Sequence, residues 1–266
     1  MKFVLSLLFP YLLCLLLVFI FQRKILYFPQ TLTINEQKQL TSELQLKLWP
    51  TEDENYFGLI SAEPLNQYKG TIIVFHGNAG SANGRVYFRD ALEKIGYRVI
   101  LAEYPGYGAK TGTPSEKTIL EEATRTVQQA IDDFDGPLFL WGESLGTGVV
   151  SELVRKIQVP VKAIALITPF DSMANIAQHH YWFLLPKVLL LDRFNSVKNL
   201  QHFNEKIAVI MAGKDEVIPN SNTLNLYNSL HASKKIWTFP EAGHNTLPFA
   251  PDNTWWREVM NFLDSR

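Results

Sequence analysis

The sequence predicts a doubly wound α/β fold, with an eight-stranded, mostly parallel sheet, helices on both faces, and one apolar helix ahead of it. Three observations lead there. Short apolar runs alternate with helical patterns through most of the 266 residues. The later runs are continuously apolar, as strands covered on both faces are, whereas the first two alternate apolar and polar residues. The chain also opens on nineteen residues at 3–21, "FVLSLLFPYLLCLLLVFIF", that carry no charge.

That opening run, at 1.5 Å per residue, spans roughly 28 Å, close to the hydrocarbon thickness of a bilayer. Pro10 is tolerable in a transmembrane helix. A cleaved signal would be shorter and would end in small residues, but this run ends in "VFIFQRK". Residues 1–24 are therefore expected to form an uncleaved single-pass anchor, with a secreted or periplasmic chain after cleavage as the alternative. Lys2 on one side and Arg23 and Lys24 on the other leave the orientation open. Residues 25–43 are expected to form a linker, in which "ILYFPQ" is apolar enough to pack on the domain or the bilayer.

The catalytic domain is expected over 44–266. Strands are predicted at 44–49, 56–61, 71–75, 98–103, 138–141, 163–168, 208–212 and 235–239. The first two suit an antiparallel edge. Helical patterns fall at 83–95, 115–133, 145–157, 221–231 and 254–264. Ser115 followed by "EKTILEEA" is a good helix start. Residues 169–205, with "HHYWFLLP", interrupt the alternation and suggest a cap over the carboxyl ends of the strands, where α/β sheets place their sites.

Composition excludes several functions. A formal charge of −1, from 25 basic and 26 acidic residues, gives no electrostatic footprint for nucleic acid. Cys14 is the only cysteine, so intramolecular disulfides, CxxC metal sites and a cysteine nucleophile in the domain are ruled out. No metal-ligand spacing occurs around His76. No Gly-x-Gly-x-x-Gly follows the first strand and no P-loop is present, so no cofactor is implied.

What remains is a nucleophile pattern. "GESLG" at 142–146 lies between the strand "LFLW" and the helical run "LGTGVVSELVRKI". A strand-to-helix elbow exposes its serine, and Gly142 and Gly146 supply the small flanks that such a turn needs. Gly148 is expected to let the helix pack closely on a strand. The helix that follows points its amides at an oxyanion, starting with Leu145. A serine hydroxyl needs a base, and the base needs an orienting acid. Of six histidines, His179 and His180 lie in the cap, and His202 and His231 are in polar helical surroundings. His76 precedes the serine and is expected to buttress its loop. His244, in "PEAGHNTLP" after the last strand, is the expected base. Asp215, directly after the strand "AVIMA", is favoured as the acid. Asp171, after the preceding strand, is the alternative and could instead cap a helix. Glu216 is expected to point elsewhere. The loop "FHGNAGS" should supply a second oxyanion amide, from Asn78 or else Ala79. Glu143 has no assigned chemistry beyond a structural carboxylate.

In order, "LYFP", "FHGNAGS", "EYPGYGAKTGTPSE", "GESLGTG", "TPFDS", "AGKDEVIP" and "AGHN" resemble the α/β-hydrolase superfamily over about residues 45–265. They are similar in particular to its membrane-anchored subgroup, which includes the Bem46-like proteins and the alpha/beta hydrolase domain 13 and 17 proteins. The resemblance implies Ser144 as nucleophile, Asp215 as acid, His244 as base, and the Asn78 and Leu145 amides as oxyanion donors. Pro105 and Lys110 depart from residues that relatives often carry, in a loop flanking the pocket. The subgroup contains esterases and depalmitoylating thioesterases, and some relatives are labelled serine aminopeptidase-like. The expected function is a serine hydrolase of acyl esters or thioesters, with a small-molecule or lipid-like substrate and the membrane as its partner. A peptidase and a non-catalytic binding protein are the rivals. Tyr107, Phe170, Trp182, Phe183 and Leu247 are candidates for lining an acyl pocket.

Overall fold

The computed structural model describes residues 2–157 and 160–265. Met1 and Arg266, which the sequence assigns to the anchor and the domain, lie outside the described residues. Helix α1 (Lys2–Leu26) opens the chain. Its Leu8–Leu26 part is long and apolar enough to cross a membrane, and almost none of it is buried in the protein.

Eight strands form one sheet: β2 (Leu46–Trp49), β3 (Gly58–Ser61), β4 (Thr71–Phe75), β6 (Arg98–Ala102), β7 (Leu138–Glu143), β8 (Val161–Ile167), β9 (Lys206–Ala212) and β10 (Lys234–Phe239). Their spatial order is β10-β9-β8-β7-β4-β6-β3-β2. From β10 to β6 every pairing is parallel, while β3 runs antiparallel to both β2 and β6. The alternating pattern of the first two strands therefore does mark the antiparallel edge. All five residues of β4 are buried. Ile73 and Phe75 face one apolar layer and Ile72 and Val74 the other, which is why this strand reads as a continuous apolar run.

The first layer is closed by α4 (Glu116–Asp133), α5 (Leu145–Lys156) and α9 (Asn220–Ser229), and the second by α3 (Val86–Glu93) and α10 (Trp255–Asp264). Ser115 caps α4 in a reciprocal box with Thr118, which satisfies two of its free amides. Residues 169–205 contain α6 (Met173–Tyr181), a 3-10 turn at Trp182–Leu184, α7 (Pro186–Leu189) and α8 (Ser196–Leu200).

The stretch between α1 and the sheet is more ordered than a linker. It holds a two-residue strand, β1 (Phe28–Pro29), and a helix, α2 (Ile34–Glu43). Thr33 and Glu36 cap α2 with a second reciprocal box. Strand β1 pairs in parallel with β5 (Ala79–Gly80), and Phe28 N–H donates to the Asn78 carbonyl at 2.9 Å. The peptide that follows α1 is thus stitched to the loop after β4.

Candidate active site

The site forms at the carboxyl ends of β4, β7, β9 and β10. Ser144 ends β7 and begins α5 with φ +51° and ψ −115°, a region that non-glycine residues avoid. Its neighbours make that turn possible. A methyl group on Gly146 would lie 1.9 Å from the Phe75 carbonyl oxygen, and one on Gly142 would lie 2.5 Å from the Gly146 oxygen. Ser144 N–H is tied to the Ile167 carbonyl at 2.9 Å. Gly148 serves a different purpose from the one expected. An added methyl there would meet Phe194 at 2.8 Å and Phe170 at 3.0 Å, so its small size admits aromatic rings from the 169–205 segment rather than a strand.

His244 Nε2 lies 3.0 Å from Ser144 Oγ, and its Nδ1 lies 2.8 Å from Asp215 Oδ2. Asp215 Oδ1 accepts the Val217 and Ile218 amides at 2.9 and 2.8 Å, so the carboxylate is fixed before it meets the ring. Both side chains are almost closed off from solvent. The histidine loop is held from below, because the Ala242 carbonyl accepts Lys214 N–H and Glu216 Oε2 accepts His244 N–H. Glu216 therefore does not point away; it braces the backbone of the histidine.

Asp171 is committed elsewhere. It accepts Ser172 N–H and the side-chain amides of Asn175, Asn222 and Asn225, all at 2.6 to 2.9 Å. Neither the Asn78 amide nor the Leu145 amide donates to a protein acceptor among the described residues; Leu145 directly follows Ser144, and a methyl group on Gly77, next to Asn78, would lie 3.5 Å from Ser144 Cβ. Asn78 is fastened at its other groups. Its side chain donates to the Leu26 carbonyl at 2.8 Å, and its carbonyl accepts Tyr107 Oη–H at 2.7 Å and Phe28 N–H.

Two pairs, one buried and one half-buried, which spacing does not reveal, complete the frame. His76 is held between the Gly77 carbonyl (2.7 Å) and Glu103 Oε1 (2.9 Å), while Glu103 Oε2 accepts Ala82 N–H. Tyr104 and Tyr107 pack on its ring, and burial raises both phenols above their ordinary range. Glu143 takes a two-point contact from Arg85, at 3.0 and 3.1 Å, and a bond from Tyr87 Oη–H. Arg85 also lies beside Gly77 and Gly80. Glu143 thus joins the serine turn to the chain that leaves the loop after β4.

The five aromatic and aliphatic residues expected around an acyl chain lie in three places. Tyr107 supports Asn78; Phe170 and Leu247 are core residues on opposite faces of the sheet; Trp182 and Phe183 are exposed on the 169–205 segment. Among the described residues no cluster of three or more metal-ligating side chains occurs.

A parallel sheet carrying a serine elbow, with histidine and aspartate delivered from the last two strand ends, defines a class: the chain has the α/β-hydrolase fold. A family profile described as the alpha/beta hydrolase fold matches residues 70–197. An uncharacterized protein of Mycobacterium tuberculosis is 29% identical over 229 residues, covering 84% of this chain and 80% of that one. The lysophosphatidylserine lipase ABHD12 of Danio rerio is 32% identical over 186 residues, 62% of this chain and 48% of its own. The chain thus spans about half the length of that lipase. Among solved structures, an esterase from Pyrococcus furiosus superposes with a TM-score of 0.63 at 14% identity, covering 90% of this chain and 97% of that one.

Proposed function

We propose that the chain is a membrane-anchored serine hydrolase that cleaves carboxylic esters or thioesters of acyl substrates. The observation that carries this reading is the relay from Ser144 Oγ through His244 to Asp215, with contacts of 3.0 and 2.8 Å. In the proposed mechanism Ser144 Oγ attacks the acyl carbonyl while His244 Nε2 takes its proton. Asp215 holds the ring by Nδ1–H and stabilises the imidazolium. The tetrahedral oxygen accepts the Asn78 and Leu145 amides, which are held rigidly and need no reorganisation. Collapse releases the alcohol or thiol, protonated by His244. Water, deprotonated by the same nitrogen, then frees the acid from the acyl-enzyme.

The lipase and esterase relatives support an acyl ester over other chemistry, and α1 would hold the enzyme where acyl lipids are. The peptidase reading would need a free carboxylate in the cap to receive an α-amine. Asp171 is saturated by four donors, Asp192 is paired with Arg23 and Tyr27, and Glu205 precedes the amino end of β9, the sheet end opposite the site. This speaks for the ester reading. The test compares the intact chain and Ser144→Ala on p-nitrophenyl esters of graded chain length. The expected loss is about 10³-fold or more. Undiminished turnover by the variant would overturn the assignment.

A further inference from the structure

The side chains of α1 are not equally bare. Between residues 8 and 26 only Leu15, Val18, Gln22 and Leu26 are partly covered. Their spacing of three and four places them on one face of the helix, and Tyr11 lies on that face too, three turns before Gln22. This face meets the stretch "YWFLLPKVLLL", residues 181–191. Tyr11 Oη–H donates to the Phe183 carbonyl at 2.7 Å. Gln22 donates to the Leu189 carbonyl at 3.2 Å and accepts Leu191 N–H at 2.8 Å. One step further, Arg23 grips Asp192 at two points, and Tyr27 Oη–H reaches the same carboxylate at 3.0 Å.

These contacts run antiparallel, so the cap follows the helix from Arg23 down to Tyr11. The twelve helical rises from Tyr11 to Arg23 measure about 18 Å, more than half the hydrocarbon thickness of a bilayer. The stretch beside them is built for the same surroundings. It carries one charge in eleven residues. That charge, Lys187, lines a polar cleft with Asp171, Asn175 and Asn195. Apart from Lys187, its exposed side chains are large and mostly apolar: Val188 is 73% exposed, Trp182 66%, Tyr181 52%, and Phe183, Leu185 and Leu191 each 47%. The backbone is provided for as well. The amides of Leu185, Val188, Leu189 and Leu190 bond within the stretch, and that of Leu191 bonds to Gln22. Non-helical backbone at membrane depth requires such internal partners.

We propose that residues 181–191 lie in the bilayer beside α1, so that the protein enters the membrane through two apposed elements and lipid hydrocarbon covers the cap's exposed apolar face. This rests on the reading of α1 as an anchor. An apolar groove of about 280 Å³ separates the two elements, lined by Val18, Ile25, Ala177, Leu184 and Leu190, and it is open to lipid chains. Leu26 forms part of its wall, and the Leu26 carbonyl holds the Asn78 side chain. The bilayer-facing unit therefore touches the loop that carries the proposed oxyanion donor.

The test uses the full chain in phosphatidylcholine vesicles with brominated acyl chains. Three single-cysteine proteins carry one fluorophore each: the chain as it stands, labelled at its exposed Cys14 on α1; Cys14→Ser with Val188→Cys; and Cys14→Ser with Ser233→Cys, on the sheet end opposite Ser144. Labels at 14 and 188 are expected to be quenched to similar extents, several-fold more than the label at 233. Quenching at 14 with none at 188 beyond that at 233 would overturn the proposal while leaving the anchor standing. Quenching at neither would overturn both. A second copy of the chain seated on the cap would shield 188 from lipid and give the first of these negative results.

Discussion

Two aspartates sit at the carboxyl ends of neighbouring strands, Asp171 after β8 and Asp215 after β9. Both are buried, and either could serve as a triad acid by chain order. What separates them is the set of donors around each. Asp171 receives four, including two asparagine amides from α9, and both of its oxygens are taken. Asp215 receives two backbone amides on Oδ1, which leaves Oδ2 for His244. A carboxylate becomes available to a base when its own loop satisfies only half of it. Burial alone does not make this distinction.

The comparison can be broken most sharply at Asp215. Asp215→Asn keeps the shape but presents an amide to His244 Nδ1, so kcat should fall by about 10³ to 10⁴-fold. Thermal unfolding should move little, and ester kinetics alongside calorimetry would read both. Glu143, a third carboxylate beside the serine, is wholly engaged by Arg85 and Tyr87. Glu143→Gln leaves a mostly buried guanidinium short of its partner, and a loss of about 3 kcal/mol in urea unfolding is expected. Asp171→Asn should cost about 1–3 kcal/mol of stability, because an amide then faces donors. Its kcat should stay within a few-fold of the parent, and a collapse comparable with that of Asp215→Asn would reverse the assignment of the acid.

The smallest effect concerns Glu116, whose carboxylate accepts the Arg193 and Phe194 amides within the 169–205 segment. Burial, and then the neighbouring Glu152, raise its pKa to about 7. The folded state thus favours the protonated acid. Its contribution to stability is complete below about pH 4.5, declines as the unfolded chain ionises, and is lost by about pH 7. After allowance for partial exposure this amounts to about 1 kcal/mol. Glu116→Gln should flatten that part of the stability–pH curve, measured by chemical unfolding between pH 4 and 8.

These contrasts also mark what was legible in the sequence. The eight strands and the principal helices were, because continuous apolar runs and a start such as Ser115 report local burial and capping directly. The juxtaposition of Ser144, His244 and Asp215 was legible because each follows a strand and the fold delivers strand ends to one edge. Helix α2 was missed although "TINE" at 33–36 is a capping-box signature; the low apolar content behind it hid the helix. Arg85 and Glu103 left no trace, since their partners Glu143 and His76 are far off in sequence and only the folded sheet joins them. The acyl-pocket residues were chosen by type alone, and residue type does not say which way a side chain turns: Phe170 went to the core and Trp182 to the outside.

The central claim is that Ser144 is an activated nucleophile. The most direct measurement is covalent labelling of the folded full chain with a fluorophosphonate probe, followed by peptide mapping. The expected result is a single adduct on Ser144, greatly slowed in His244→Ala. Folded protein that stays unlabelled at Ser144, or labelling at the same rate without His244, would contradict it.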